Sequence, residues 1–573
     1  MKKLIISEKP SVAQSLAKVL GVRGRKDGYI EGKNYIVTWC IGHLVGTANP
    51  EAYGEEYKDW SKLPIIPTEW KYQVLSGTKK QFDIIKRLMK SKDVGSVVCA
   101  TDAGREGELI FRLVYNEAKC TKPIERLWIS SLEDNAIKQG FENLKPGTEF
   151  DNLYKSALCR ERADWLIGIN ASRYYTVKNK KTTSIGRVQT PTLSMIAQRD
   201  KDINDFVKGY YYTVEVSCKG MIAQSDKYEN KENAVQIANS LKNVTVTDIE
   251  KENKSVNPPK LYDLTSLQRD ANKILGFTAQ ETLEMLQKLY EAKLVTYPRT
   301  DSCYLTEDME QTAIDVINVI VEKMGFATAT KPDINPVMNN KKVSDHHAII
   351  PTINIKGFEE MGLNEKSRNL LILISARLLT ATAPKHTYES TVITLKSDDT
   401  EFKAKGKTIV SQGFKVIENE FYRKINYKST EDEQNIALPT VSKDEKLLAI
   451  GTVKEHETKP PKQYTEDTLL SAMEKAGNKE YTEEVERKGL GTPATRASII
   501  ETLIKRGYVE RKGKCLIVTD KGKELINTVP EKLQSASMTA EWENKLSLIA
   551  QGKSDSDSFM QGIQEFVKEI VNQ

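Results

Sequence analysis

The 573-residue chain holds 39% hydrophobic and 29% charged residues, a balance that supports about three to five packed domains and excludes a wholly disordered chain. Its 85 basic against 79 acidic residues leave +6, which permits a nucleic-acid partner without requiring one. The cysteines (Cys40, Cys99, Cys120, Cys159, Cys218, Cys303 and Cys515) form no C-x-x-C pair, which argues against a zinc ribbon and a disulfide framework and fits a reducing cytoplasm.

The opening, MKKLIISEKPS, has an apolar run of only Leu4 to Ile6, too short for a secretory signal and suited to a buried strand. Ser96 to Ala100 reads as a second strand, followed by a helical pattern over GELIFRLVYNEAK. Over the first 150 residues this alternation predicts an α/β domain with a mainly parallel sheet. Residues 151–205 read as helical and 208–250 as strands, from alternating segments such as YYYTVEVSCKG. Thr278 to Glu281 forms a capping-box pattern ahead of Leu283, Leu286, Leu289, Tyr290 and Leu294, a helix running into LVTYPRTD. The polar stretch 328–345 reads as a loop and strand patterns return over 388–425. The apolar LLILISARLL (370–379) contains Arg377 and is far short of the ~20 residues that span a bilayer. Beyond the linker-like ETKPPKQY (457–464) the chain reads as helical, with TRASIIETLIKRGY and VERKGKCLIVT resembling the helix and hairpin of a winged helix.

Glu8 follows the first strand, and Asp102, Glu106 and Glu108 follow the second. Working sites of open α/β sheets lie beyond the carboxyl ends of their strands, so Glu8, Asp102 and Glu106 are expected to meet. Clustered carboxylates suit Mg²⁺ and phosphoryl transfer, with Lys9 placed to hold a phosphate oxygen. Asp102 is equally the kind of residue that only caps a helix. Tyr297 precedes Pro298, which keeps it out of the helical region. Arg299, two residues on, could steady a phenolate and grip a phosphate, although most of the 23 tyrosines serve packing. His346 and His347, in SDHHAIIPT (344–352), could orient or protonate a leaving oxygen, or simply cap a segment. SIGRVQTPTL (184–193) and GLGTPATRASII (489–500) each offer Arg, Gln or Thr donors at a helix start, the usual phosphate positioners or plain turns. No G-x-x-x-x-G-K-[ST] loop occurs, which argues against an ATP-driven motor.

Along nearly its whole length the chain resembles the type IA DNA topoisomerases, and topoisomerase III in particular. The matching motifs run in family order: LIISEKPSVA, VTWCIGHLV (37–45), LPIIP (63–67), ATDAGREGELI, CRERADWLIGINASRYYT (159–176), SIGRVQTPTLSMI, LTSLQRDAN (264–272), LVTYPRTDS, DHHAIIPT, GLGTPATRASIIETL and TAEWENKL (539–546). The resemblance implies a multidomain α/β toroid. Its parts would be a Toprim domain (1–150), a helical DNA-binding base (151–207 and 430–573), a β-rich hinge (208–264 and 388–429) and an arch (265–387). It implies Tyr297 as nucleophile, Arg299 as its phosphate and phenolate partner, Glu8 as general acid/base, Lys9 on the scissile phosphate and His346 rather than His347 in the active site. Glu8, Asp102 and Glu106 would hold Mg²⁺, with neither zinc nor ATP. Arg162, Asn170, Ser184, Ile185, Gly186, Arg187, Val188 and Gln189 would line a single-strand groove. The phosphotyrosine ester would conserve the broken bond, so no external energy is needed. Gly104 stands where the family's Asp-x-Asp-x-Glu motif has a carboxylate, which implies weaker Mg²⁺ binding and puts a second ion in doubt. The expected protein is cytoplasmic, nucleoid-associated and monomeric, and acts on single-stranded DNA segments with no membrane; a partner helicase is left unspecified. A Toprim primase or nuclease and a non-catalytic single-strand binder are the alternatives.

Overall fold

The computed structural model describes residues 1–130, 132–326, 332–343, 346–428, 436–476 and 489–572. Residues 344 and 345 of the SDHH stretch, 328–331 of the expected loop and the expected boundary at 429/430 lie outside them.

The first domain is a seven-stranded sheet in the order Gly24–Lys26, Tyr29–Glu31, Tyr35–Trp39, Lys2–Ser7, Val94–Ala100, Ile124–Arg126, Lys145–Pro146. Its centre is parallel and its margins antiparallel, so the expected parallel character holds only for the middle pairs. Leu4, Ile5 and Ile6 are fully buried because both faces are covered. Ile5 packs with helix Pro10–Val19, while Leu4 and Ile6 pack with helices Lys79–Lys90 and Arg105–Glu117. Lys2–Ser7 and Val94–Ala100 run side by side with Ser7 opposite Ala100. Their carboxyl ends therefore deliver Glu8 and Asp102 to one edge.

The turn after Asp102 depends on Gly107. A Cβ there would lie 2.0 Å from the Asp102 carbonyl oxygen, so only glycine lets the helix begin so close beneath the strand. Thr101 Oγ1 fastens the same turn by donating to the Gly107 carbonyl at 2.7 Å.

Helices Asp151–Asn179 and Gln189–Asn204 are separated by an irregular stretch. A second seven-stranded sheet is antiparallel, ordered Lys446–Leu448, Asn243–Val256, His386–Ser397, Thr400–Ser411, Met221–Ser225, Tyr210–Cys218, Ile450–Glu457. Its two outermost strands are consecutive in the chain, so residues 446–457 pair with both margins and close the sheet on itself. Two helices interrupt regions expected as strand. Lys231–Ser240 is started by the Asn230 side chain accepting from Glu232 N–H, and Lys415–Lys424 buries Ile417 and Phe421, a spacing of four. Gly451 passes so close to the first of these that a Cβ would meet the Ala238 backbone at 2.7 Å.

Residues 264–381 contain helices Leu264–Asp270, Ala279–Glu291, Glu310–Met324 and Glu365–Ala381. The expected capping box is present, with Thr278 and Glu281 exchanging side-chain and backbone hydrogen bonds. The helix stops at Glu291, and Lys293 at φ 63° turns the chain into the segment holding Tyr297. The C-terminal part contains the expected winged helix: Pro493–Lys505, then the antiparallel pair Val509–Lys512 and Cys515–Val518, joined by Tyr464–Thr465. One apolar core runs from Ile5, Val12 and Leu127 of the first domain into Leu261, Leu289 and Val295. Among the described residues no helix is long and apolar enough to cross a membrane.

The Gly107 contact gives a direct test. Alanine normally favours a helix by up to about 1 kcal/mol over glycine. Gly107→Ala is instead expected to lower stability by about 1–3 kcal/mol, the cost of overpacking, as read from the thermal denaturation midpoint.

Candidate active site

Glu8, Asp102, Tyr297, Arg299 and His346 line one cavity of about 700 Å³ between the first domain, the arch and the winged helix. The Tyr297 hydroxyl donates to Asp102 Oδ2 at 3.1 Å. Arg299 Nη1 lies 3.7 Å from Glu8 Oε1 and 3.6 Å from Asp102 Oδ2. Its Nε is buried without a hydrogen-bond partner. The Tyr297 backbone N–H donates to the Ser130 carbonyl at 3.0 Å, which fixes the arch segment to the first domain.

Burial, then the Asp102 charge beside it, raises the Glu8 carboxyl to about 7. Tyr297 is only 5% exposed, and burial followed by the Asp102 charge pushes its phenol well above the ordinary range against the pull of Arg299. The phenol is thus held protonated until a cation compensates the acids. His346 is sandwiched between Trp128 and Tyr297, with ring centroids 6.3 and 4.1 Å away. Burial lowers it to about 3, so it is neutral. Its Nδ1 accepts from Ser130 Oγ at 3.0 Å and its Nε2 donates to the Ala103 carbonyl. With both nitrogens engaged, His346 orients the tyrosine ring and the Asp102–Gly104 turn and is not poised to protonate a leaving oxygen. His347 turns away, with Nδ1 on the Ala348 carbonyl.

Several expected residues sit elsewhere. Glu106 does not join Glu8 and Asp102; its carboxylate meets His43 Nε2 at 2.6 Å, and that contact, partly opposed by burial, holds it below the ordinary range. Among the described residues no three His, Cys, Asp or Glu side chains converge on a metal-sized site. Glu108 is fully buried between Arg112 and Arg126 and is structural. Lys9 occupies the N-cap position of helix Pro10–Val19 without a side-chain cap and pairs with Glu291 at 3.5 Å, outside the cavity lining. Asn170 cannot line a groove: it is fully buried, accepting from Ile65 N–H and donating to the Ile65 and Leu166 carbonyls. Arg187 is likewise buried, against Asp164 and Glu543, and Ile185 and Val188 are interior. Ser184, Gly186 and Gln189 are half-buried around a helix entry whose N–H groups are taken by Tyr508 Oη and Thr190 Oγ1. Arg162 is half-buried on Tyr72 Oη at 3.2 Å and over the Trp70 ring. Of the two phosphate-like stretches, 489–500 reaches the cavity, through the helix start Thr492 to Thr495.

Residue reasoning missed other members. Arg126, fully buried, donates to the carbonyls of Cys99, Thr101 and Asp102 and so fixes the acidic turn. His43, Arg105 and Arg160 line the cavity. All but Arg126 fall in motifs quoted above, which was the available signal.

A DNA topoisomerase family model matches residues 148–561 and a Toprim domain model matches residues 3–132. The chain therefore belongs to the type IA DNA topoisomerase family, with its Toprim domain at the N-terminus. Within that family it is similar to the DNA topoisomerase 3 of Bacillus licheniformis, 44% identical over 598 residues, covering 100% of this chain and 81% of that one. That of Bacillus subtilis is 44% identical over 606 residues, covering 100% and 82%. The fold matches full-length topoisomerase I from Thermotoga maritima with a TM-score of 0.77 at 24% identity, covering 100% of this chain and 90% of that one. The expected multidomain architecture is thereby borne out.

The raised Glu8 carboxyl predicts a pH effect in metal-free buffer. It binds its proton more tightly folded than unfolded, so its stabilising contribution is complete below pH 4.5 and lost as pH rises through about 7. The stability difference between wild type and Glu8→Gln should shift in the variant's favour across that window, as thermal midpoints at each pH will read.

Proposed function

We propose that the chain cuts one DNA strand with Tyr297, holds the end as a 5′-phosphotyrosyl ester, passes DNA through the gap and reseals it, relaxing negative supercoils and separating linked DNA. The observation that carries this reading is the Tyr297 hydroxyl on Asp102 at 3.1 Å, with Arg299 bridging Asp102 and Glu8.

Tyr297 Oη attacks the phosphorus, and the bond to the preceding sugar's 3′ oxygen breaks. Asp102, already the hydrogen-bond acceptor, takes the phenolic proton. Glu8, raised to about 7, is half-protonated at neutral pH and supplies a proton to the leaving oxygen, which becomes a 3′-hydroxyl. The reverse sequence reseals the strand, with Glu8 as base. Arg299 offers its unpartnered Nε to a phosphate oxygen and offsets the phenolate charge. His346 keeps the ring oriented. Lys9 would reach the phosphate only by exchanging Glu291.

The donor set fits one Mg²⁺, which commonly takes one or two carboxylates together with phosphate. Glu8 and Asp102 would hold it, and Glu106 would join only after leaving His43. Such an ion supplies positive charge to the scissile phosphate. The substrate is a single-stranded segment and the protein works as a monomer. The parts divide as the resemblance implies: 1–150 as the Toprim domain, 151–207 and 430–573 as the base, 208–264 and 388–429 as the hinge, and 265–387 as the arch.

End-labelled single-stranded DNA, mixed with the protein and rapidly denatured, should yield a labelled protein band that Tyr297→Phe abolishes and Arg299→Lys lowers by about 10²-fold, the scale of one transition-state donor. Unchanged strand cleavage in Tyr297→Phe would instead point to a nuclease.

A further inference from the structure

Helix Ala536–Ala550, at the far end of the chain, carries a carboxylate that the reaction above leaves unused. Glu543 is 1% exposed. Its Oε1 lies 3.0 Å from Arg187 Nη2 and 3.8 Å from Arg160 Nε, and its Oε2 lies 3.3 Å from Arg105 Nη2. Asp164 shares two of these cations, 2.8 Å from Arg187 Nε and 3.8 Å from Arg160 Nε. The helix is fastened at this point: Thr539 Oγ1 donates to the Arg187 carbonyl at 2.8 Å, and Ser156 Oγ donates to the Leu546 carbonyl at 2.6 Å.

Three guanidiniums crowded together repel one another, and burial makes the repulsion stronger. Among the described residues Glu543 is the one carboxylate that touches all three. Burial opposes its ionisation, but Arg160, Arg187 and Arg105 hold it far below the usual carboxylate range, so it stays charged. Within the cluster three cations meet two carboxylates, and Arg105 and Arg160 line the cavity, where Glu106 and Glu161 face them. The groups are not saturated. Arg105 Nη1 and Arg187 Nη1 are buried without a hydrogen-bond partner, and Arg160 makes only its two contacts of 3.8 Å. Arg160, held by two long contacts and lining the cavity beside Arg105, keeps guanidinium donors for a phosphodiester oxygen.

We propose that Glu543 is a positioning residue that presets Arg105 and Arg160 as a clamp for a DNA phosphate neighbouring the one being cut. Arg187, fully interior, is the spacer of the cluster. The proposal rests on the strand-cutting function above and adds to it a second phosphate contact governed from helix Ala536–Ala550.

The test steps a single neutral methylphosphonate through the positions flanking the cut in an end-labelled single-stranded oligonucleotide and measures covalent adduct formation. In the wild type, one position other than the scissile one should lower the adduct rate about tenfold or more, the worth of one charge-assisted hydrogen bond. Glu543→Gln should lower the rate on unmodified DNA to a similar degree, and the methylphosphonate at that position should then cost nothing further. Glu543→Asp, which keeps the charge, should recover most of the rate and the position sensitivity. Losses that multiply independently, or no sensitive flanking position in the wild type, would overturn the proposal. Should Glu543→Gln not fold by circular dichroism, Arg160→Gln is read in the same way. Failure of the wild type to form any adduct on unmodified DNA would reject the function itself, a result distinct from failure of the clamp.

Discussion

The structure turns on a phenol buried against a carboxylate. Tyr297 comes from the arch, Asp102 from the first domain, and their 3.1 Å contact is made inside a core that the two share. That setting is unfavourable for an ionised oxygen, because burial and two nearby acids hold the proton on. The Tyr297 hydroxyl therefore keeps its proton. Added positive charge, of the kind Arg299 already supplies, is what favours the ionised oxygen.

The supporting elements follow from this requirement. Adjacent parallel strands in matched register bring Glu8 and Asp102 to one edge. Gly107 lets the next helix begin beneath Asp102, and Arg126 holds three carbonyls of the same turn. From the other side, Ser130 binds both the Tyr297 backbone and the His346 ring. Each of these contacts removes freedom from the acid or the phenol, and such preorganisation is what electrostatic catalysis needs.

What could be read from the sequence followed from local rules. The two strands, the capping box at Thr278, the winged helix and the meeting of Glu8 with Asp102 all come from short-range patterns that packing did not overrule. Two helices were missed in regions that alternate like strands, since weak local preference yields to neighbours in space. The family resemblance implies a DNA groove at Asn170 and Arg187; burial is not written in a motif, and both side chains are interior. The His43–Glu106 pair joins residues 63 apart in the chain and the Arg187–Glu543 pair residues 356 apart. No periodicity reports on contacts of that range, and only the collinear motifs hinted that those residues matter.

The closed second sheet has a mechanical consequence. Open sheets begin to come apart at their outer strands, where hydrogen bonds break one at a time, and such margins also invite pairing with foreign chains. Residues 446–448 pair with Asn243–Thr245 and residues 450–457 with Tyr210–Ser217, so one continuous stretch of chain seams the two margins together at that end. Strain applied across that seam is shared by the hydrogen bonds of both pairings at once, which makes it stiffer than a free margin.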